Sequence, residues 1–269
     1  MPFTLGPRAA SAGYRLSAFD RIGSTNAQAL SAARAGERGP VWFVTSEQTA
    51  GRGRRSRPWI APRGNLASSL LDVMQVTPAT AATLGFAAAV ALERALRRLS
   101  VEAAPRPPGP AGPKLSLKWP NDVLAGEKKL AGILLEVETG PAGLAVVVGI
   151  GTNVIAAPTD TPTPATSMKA AGIEASAERL FAELSDDWAE LHGIWDRGGG
   201  FGEIRKLWLA RAAGLGQAVA IRSGDDSIEG TFETIDEQGC MMVRTKDGRE
   251  LLITAGEVYF GSVASMGAT

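Results

Sequence analysis

Two apolar runs, 129–138 and 144–154, are separated only by Thr139-Gly140-Pro141-Ala142-Gly143. A short turn-forming segment between two long apolar stretches predicts a β-hairpin with both strands largely buried. Such a hairpin needs a core large enough to cover it. The chain has 269 residues, 45% of them hydrophobic and 21% charged, so a packed core is expected rather than disorder. That length fits one large domain, or a catalytic domain with a small appendage.

Around this hairpin the pattern alternates between periods. Ser24-Thr25-Asn26 caps a helix through Ala29, Leu30 and Ala33, with Gly36 as its stop. Residues 41–46 and 65–73 read as strands, and Thr77-Pro78 opens a long helix to about Leu99. Residues 103–113 form a Pro/Gly-rich loop, extended structure resumes at 115–119, and a Pro/Thr-rich loop follows the hairpin at 156–164. Leu180, Leu184, Trp188, Leu191 and Trp195 recur at helical spacing, Gly198–Gly200 ends that helix, and a short one follows at 204–211. Beyond Gly214 come four short strands, 218–222, 227–235, 240–244 and 250–254, with turns at 224–226, 236–239 and 247–248. This is the texture of a small antiparallel barrel, and a domain boundary is expected near residue 213, dividing 1–212 from 213–269.

Several function classes lose weight at once. The 28 basic residues balance 28 acidic ones, whereas a nucleic-acid binder is usually net basic. Cys240 and His192 are each the sole residue of their type, which removes intramolecular disulfides, cysteine-based zinc sites and multi-histidine metal sites. His192 is expected to be a packing or helix-surface residue. The N-terminal MPFTLGPRAA has no signal-peptide pattern, and residues 81–91 make too short an apolar run for a span, so a cytoplasmic protein is expected.

The chemistry concentrates in four segments. Gly51-Arg52-Gly53-Arg54-Arg55-Ser56-Arg57-Pro58-Trp59 holds four arginines. Its glycines permit close backbone approach, and guanidinium forks match carboxylate and phosphate oxygens. Bringing two anions together needs concentrated positive charge, which this loop could supply. Composition alone also suits a solvated basic loop or a nucleic-acid contact. A loop of this kind should repel itself when empty, so it is expected to move and to order over its ligand. Lys118-Trp119-Pro120-Asn121-Asp122 sets a lysine at a strand end before a sharp turn. Gly132, in Lys129-Leu130-Ala131-Gly132-Ile133-Leu134-Leu135-Glu136, marks a bulge or a close ligand approach within a strand. Gly149-Ile150-Gly151-Thr152-Asn153 is not a dinucleotide fingerprint, because no helix with a third glycine follows. Taken singly, the last three also suit ordinary strand packing or surface turns.

In this order, Ser24-Thr25-Asn26, Gln48-Thr49-Ala50-Gly51-Arg52-Gly53-Arg54, Lys118–Asp122, Lys129–Leu134 and Gly149–Asn153 resemble the biotin–protein ligase family over about residues 13–260. The resemblance implies an α+β fold: a central mixed sheet flanked by helices, of the class II synthetase-like biotin–lipoate ligase type, followed by an SH3-like barrel. It implies that Ser24, Thr25, Asn26, Gln48, Gly51, Arg52, Gly53, Arg54, Lys118 and Gly132 surround biotin. Arg54, Arg57, Trp59, Lys118, Asn121 and Asn153 would serve ATP, and Lys118, Arg52 and Arg54 the chemistry. Ser56 departs from the family, which commonly has glycine there. If that position needs a positive φ, serine costs about 1 kcal/mol.

The implied substrates are biotin and ATP, with magnesium held mainly by the ATP phosphates rather than by a protein metal site. The implied partner is a biotin carboxyl carrier domain docking by edge-strand pairing, with no DNA or membrane partner and either a monomer or a homodimer. Some family members carry an N-terminal DNA-binding domain. Here the ligand motifs begin at Ser24, and the non-repressor form is expected. The rival enzyme is a lipoate–protein ligase, whose substrate lacks a ureido group. The rival outside enzymology, a nucleic-acid binder, would show salt-dependent oligonucleotide affinity and no ATP turnover.

Overall fold

The computed structural model describes residues 2–102, 113–159, 161, 163–223 and 226–260. The chain opens with α1 (Pro7–Ser11), β1 (Arg15–Phe19), α2 (Thr25–Arg34), β2 (Val41–Thr45) and β3 (Gln48–Arg52). It continues through β4 (Pro58–Ala61), β5 (Leu66–Met74), α3 (Pro78–Ala82) and α4 (Leu84–Glu102). Then follow β6 (Leu115–Lys118), β7 (Asp122–Ala125), β8 (Lys128–Gly140) and β9 (Gly143–Thr152). After α5 (Ala177–Trp195) and α6 (Phe201–Leu209) come β10 (Ala218–Ser223), β11 (Asp226–Ile235), β12 (Met241–Arg244), β13 (Glu250–Ile253) and β14 (Glu257–Phe260).

The expected hairpin is β8–β9, at the heart of a seven-stranded sheet ordered β1-β2-β5-β9-β8-β7-β6. β1 and β2 run parallel and every other neighbour pair is antiparallel, which makes the sheet mixed. One face carries α4 and α5 over Leu66, Leu70, Val148, Ile150 and Ile133. The other carries α2 over Phe43, Leu71 and Val147. Beyond β6, the segment 211–213 continues the edge: Leu117 N donates to Arg211 O and Ala213 N to Leu117 O, each at 2.8 Å. Arg211 is held there by Glu93, fully buried on α4, at 2.7 Å.

The helix expected from Thr77 to Leu99 breaks at Thr83. Its hydroxyl donates to Thr80 O at 2.6 Å and accepts from Trp195 Nε1 at 2.7 Å, so it bonds outside the helical ladder. Residues 78–102 are long and apolar enough to span a bilayer by composition, but 78% of their most apolar window lies inside the fold. His192 is a packing residue, its ring stacked between Trp188 and Trp195.

The C-terminal part is a five-stranded antiparallel sheet ordered β13-β12-β11-β10-β14. Its fifth strand, β14, is absent from the four-strand reading of the sequence. The loop at 103–112 and the turn residues 224 and 225 lie outside the described residues.

Candidate active site

The largest departure from the sequence reading is the arginine segment. It is a hairpin rather than an open loop, with β3 paired to β4 and Arg54–Ser56 at the tip. Gly51 lets the pair close, because a Cβ there would strike Trp59 O and the Gln48 amide. Gly51 therefore shapes the hairpin and does not itself line the cleft described below, unlike Arg52, Gly53, Arg54 and Arg57. At the tip both Arg55 (φ 56°) and Ser56 (φ 58°) adopt the left-handed conformation that was a condition for strain at Ser56. The expected self-repulsion is offset by nearby acceptors, with Glu257 shared between Arg55, at 3.4 Å, and Arg57. Arg52 meets Glu136 at 3.2 Å, Arg54 Nη1 donates to Asn121 Oδ1 at 3.1 Å, and Arg57 meets Glu257 at 2.6 Å.

Strand register explains why distant motifs meet. Lys118 pairs with Asp122, Asp122 with Gly132, Gly132 with Gly151, and Gly151 with Ala67, a continuous row across five strands. A parallel row runs Leu134–Gly149–Ser69. The glycines leave these rows low, and neighbouring side chains lie over them. The Trp59 indole covers Gly151 and Gly132, while the Asn26 amide occupies the space a Cβ on Gly149 would need. Gly132, expected to leave room beside a ligand, thus also leaves room for Trp59 and for Lys129. The resulting cleft, about 240 Å³, is lined by Ser24, Thr25, Asn26, Gln48, Arg54, Lys118, Asn121, Gly132 and Asn153 among others.

One end of the cleft is polar and carries no net charge, its Arg52 being paired with Glu136. Ser24 caps α2 by accepting from Ala27 N. Thr25 donates from both its backbone N, at 2.8 Å, and its hydroxyl, at 3.0 Å, to Gln48 Oε1. With its carbonyl so filled, Gln48 presents its amide N–H groups as donors.

The other end is cationic. Burial pushes both Arg54 and Lys118 below their ordinary pKa values, and the nearby Asp122 pulls each back up. The Lys118 ammonium sits 5.5 Å from the Phe260 ring centroid and 5.9 Å from that of Tyr259, both on β14. Lys129, quoted in the sequence only as part of a motif, also lines the cleft, 2.6 Å from Asp122 and over the Trp59 ring. Asn153 is buried, donates through Nδ2 to Thr166 O, and keeps an Oδ1 with no partner among the described residues.

Sequence reasoning assigned no role to Lys129, Asp122, Glu257 or Tyr259. The first two stood inside the quoted motifs. The last two come from the C-terminal sheet, in which the sequence shows only short strands and turns, yet residues 256–259 form one wall of the cleft. Trp119 Nε1 also donates to Gly239 O at 3.0 Å, fastening the Lys118 turn to that sheet.

Residues 18–153 match the model of the biotin/lipoate A/B protein ligase family, more than half of the chain. This chain belongs to that family. Residues 214–261 match the biotin protein ligase C terminal domain. The chain is 42% identical over 248 residues to a biotin–[acetyl-CoA-carboxylase] ligase of Paracoccus denitrificans, covering 90% of this chain and 98% of that one. It is 34% identical over 262 residues to the enzyme of the same description from Mycobacterium tuberculosis, covering 93% and 90%. In fold it is similar to a biotin protein ligase from Aquifex aeolicus in complex with biotin and ATP. That likeness has a TM-score of 0.72 and 24% identity, and covers 92% of this chain and 99% of that one.

Proposed function

We propose that this chain is an ATP-dependent ligase that activates biotin as biotinoyl-AMP and transfers it to a lysine of a biotin carboxyl carrier domain. The observation that carries the reading is the polarity of one cleft. A neutral hydrogen-bonding end suits the ureido ring, low glycine rows suit an apolar bicycle, and a cationic end suits a carboxylate meeting a phosphate.

In the first step a biotin carboxylate oxygen attacks the α-phosphorus of ATP, and the bond to pyrophosphate breaks. Lys118, Lys129 and Arg54 neutralise the approaching anions, held in place by Asp122 and Asn121. In the second step the carrier's ε-amine attacks the acyl carbonyl. The bond to AMP breaks and the amine gives up a proton. Gln48 and Thr25 orient the ureido group, with Ser24, Asn26 and Arg52 around them. Asn153, whose Oδ1 lacks a donor, accepts from the exocyclic amine of adenine, with Trp59 and Arg57 on the same side.

Among the described residues no cluster of three or more His, Cys, Asp or Glu could enclose a metal. Magnesium, bound mainly to the nucleotide's phosphates and water, would find Asp122 as a protein carboxylate and would supply further charge neutralisation. We place the reaction in the cytoplasm, where ATP is at hand, and the division between catalytic and C-terminal parts at 212–213.

Incubation with biotin, Mg-ATP and a carrier domain, followed by mass measurement of the carrier, tests the function. One added biotinoyl group on one lysine is expected. An unmodified carrier, or one that accepts only lipoate, contradicts it.

A further inference from the structure

The polar end of the cleft depends on a carboxylate that does not line it. Glu136 lies on β8, two residues beyond the lining residue Leu134 and on the same face. Its Oε2 accepts from Asn26 Nδ2 at 2.8 Å, and its Oε1 meets Arg52 Nη2 at 3.2 Å. Asn26 Oδ1 in turn accepts from Ser69 Oγ at 2.5 Å. The amide is therefore pinned between β5 and β8 in the gap that Gly149 leaves on β9. One carboxylate thus fixes two side chains that enter from different elements, α2 and β3.

Arg52 is a long, half-exposed side chain. Left unpaired it would sample many rotamers and put a free positive charge at the ureido end, which needs directed donors more than charge. A cation there would also compete with the Lys118 end for the substrate's carboxylate.

We propose that Glu136 is a positioning residue for the ring end of biotin. By holding Asn26 and Arg52 it pre-orders that end and keeps it electrically neutral, so that the acid group is directed to the cationic end. This rests on the biotin reading of the cleft. Glu136→Gln keeps an acceptor for Asn26 and loses the ion pair, whereas Glu136→Ala loses both.

Steady-state kinetics with each substrate varied in turn tests the proposal, with thermal melts run alongside. For Glu136→Ala, kcat/KM for biotin should fall about tenfold, as for loss of an outer-shell orienting group, while KM for ATP stays within about twofold. Glu136→Gln should fall between wild type and Glu136→Ala, with a melting point close to wild type. Unchanged biotin kinetics in both variants, or equal losses for biotin and ATP, would overturn the proposal while leaving the ligase function standing. A wild-type protein inactive with biotin would overturn both.

Discussion

The two faces of the central sheet are made from the same strands but solve opposite problems. On β5, β8 and β9 the residues facing α4 and α5 are Leu70, Ile133, Val148 and Ile150, which fill space. Those on the cleft side are Ala67, Ser69, Gly132, Gly149 and Gly151, small residues that make room for Trp59, the Asn26 amide and the cleft between them. Alternation along a strand allows both within one stretch of sequence. The filled face gives the sheet the rigidity that the open face needs to hold catalytic side chains in register.

The contrast predicts that substitutions on one face cost activity and on the other cost stability. Lys118→Ala should reduce adenylate formation about a thousandfold, the scale of losing a preorganised charge at the reacting centre, with an unchanged melting profile. Single-turnover assays with labelled ATP would measure it. On the filled face, Leu70→Ala should cost about 3 kcal/mol of stability and leave KM for both substrates unaltered, read by denaturant titration and kinetics. An activity loss there out of proportion to stability would break the contrast.

Gly149→Ala sits between the two classes. The added methyl must displace the Asn26 amide, so KM for biotin should rise about tenfold with only a modest loss of stability.

The smallest effect belongs to Asp72, on the filled face, whose carboxyl lies 3.8 Å from His192 Nε2. Burial raises it from 3.8 to about 6, against the pull of Val73 N–H and Arg197. A raised carboxyl binds its proton more tightly folded than unfolded. The ionised form therefore burdens the fold fully above pH 6, and the burden is relieved as pH falls toward 4. Asp72→Asn should then stabilise by about 1 kcal/mol at pH 7.5, with the gain fading at lower pH, as melts across that range would show.

How much of this was legible in sequence follows from the same geometry. The β8–β9 hairpin, the α2 cap and the α5 repeat depend on near neighbours and could be read directly. Lys118, Gly132 and Gly151 could be marked as unusual, but nothing local says that they occupy one register row, because register is fixed by pairing between distant strands. Glu257 and Tyr259 gave no signal, since their importance arises only when β14 comes up against the arginine hairpin. The arginines themselves were read as an open loop because Gly and Pro mask the short β3–β4 pairing.

Biotin-dependent exchange of labelled pyrophosphate into ATP, with no carrier present, most directly tests whether activation takes place between the cationic and neutral ends of this cleft. Wild type should show exchange that requires biotin, and Lys118→Ala should show none above background. Exchange that persists in Lys118→Ala, or that proceeds with lipoate but not biotin, would contradict it.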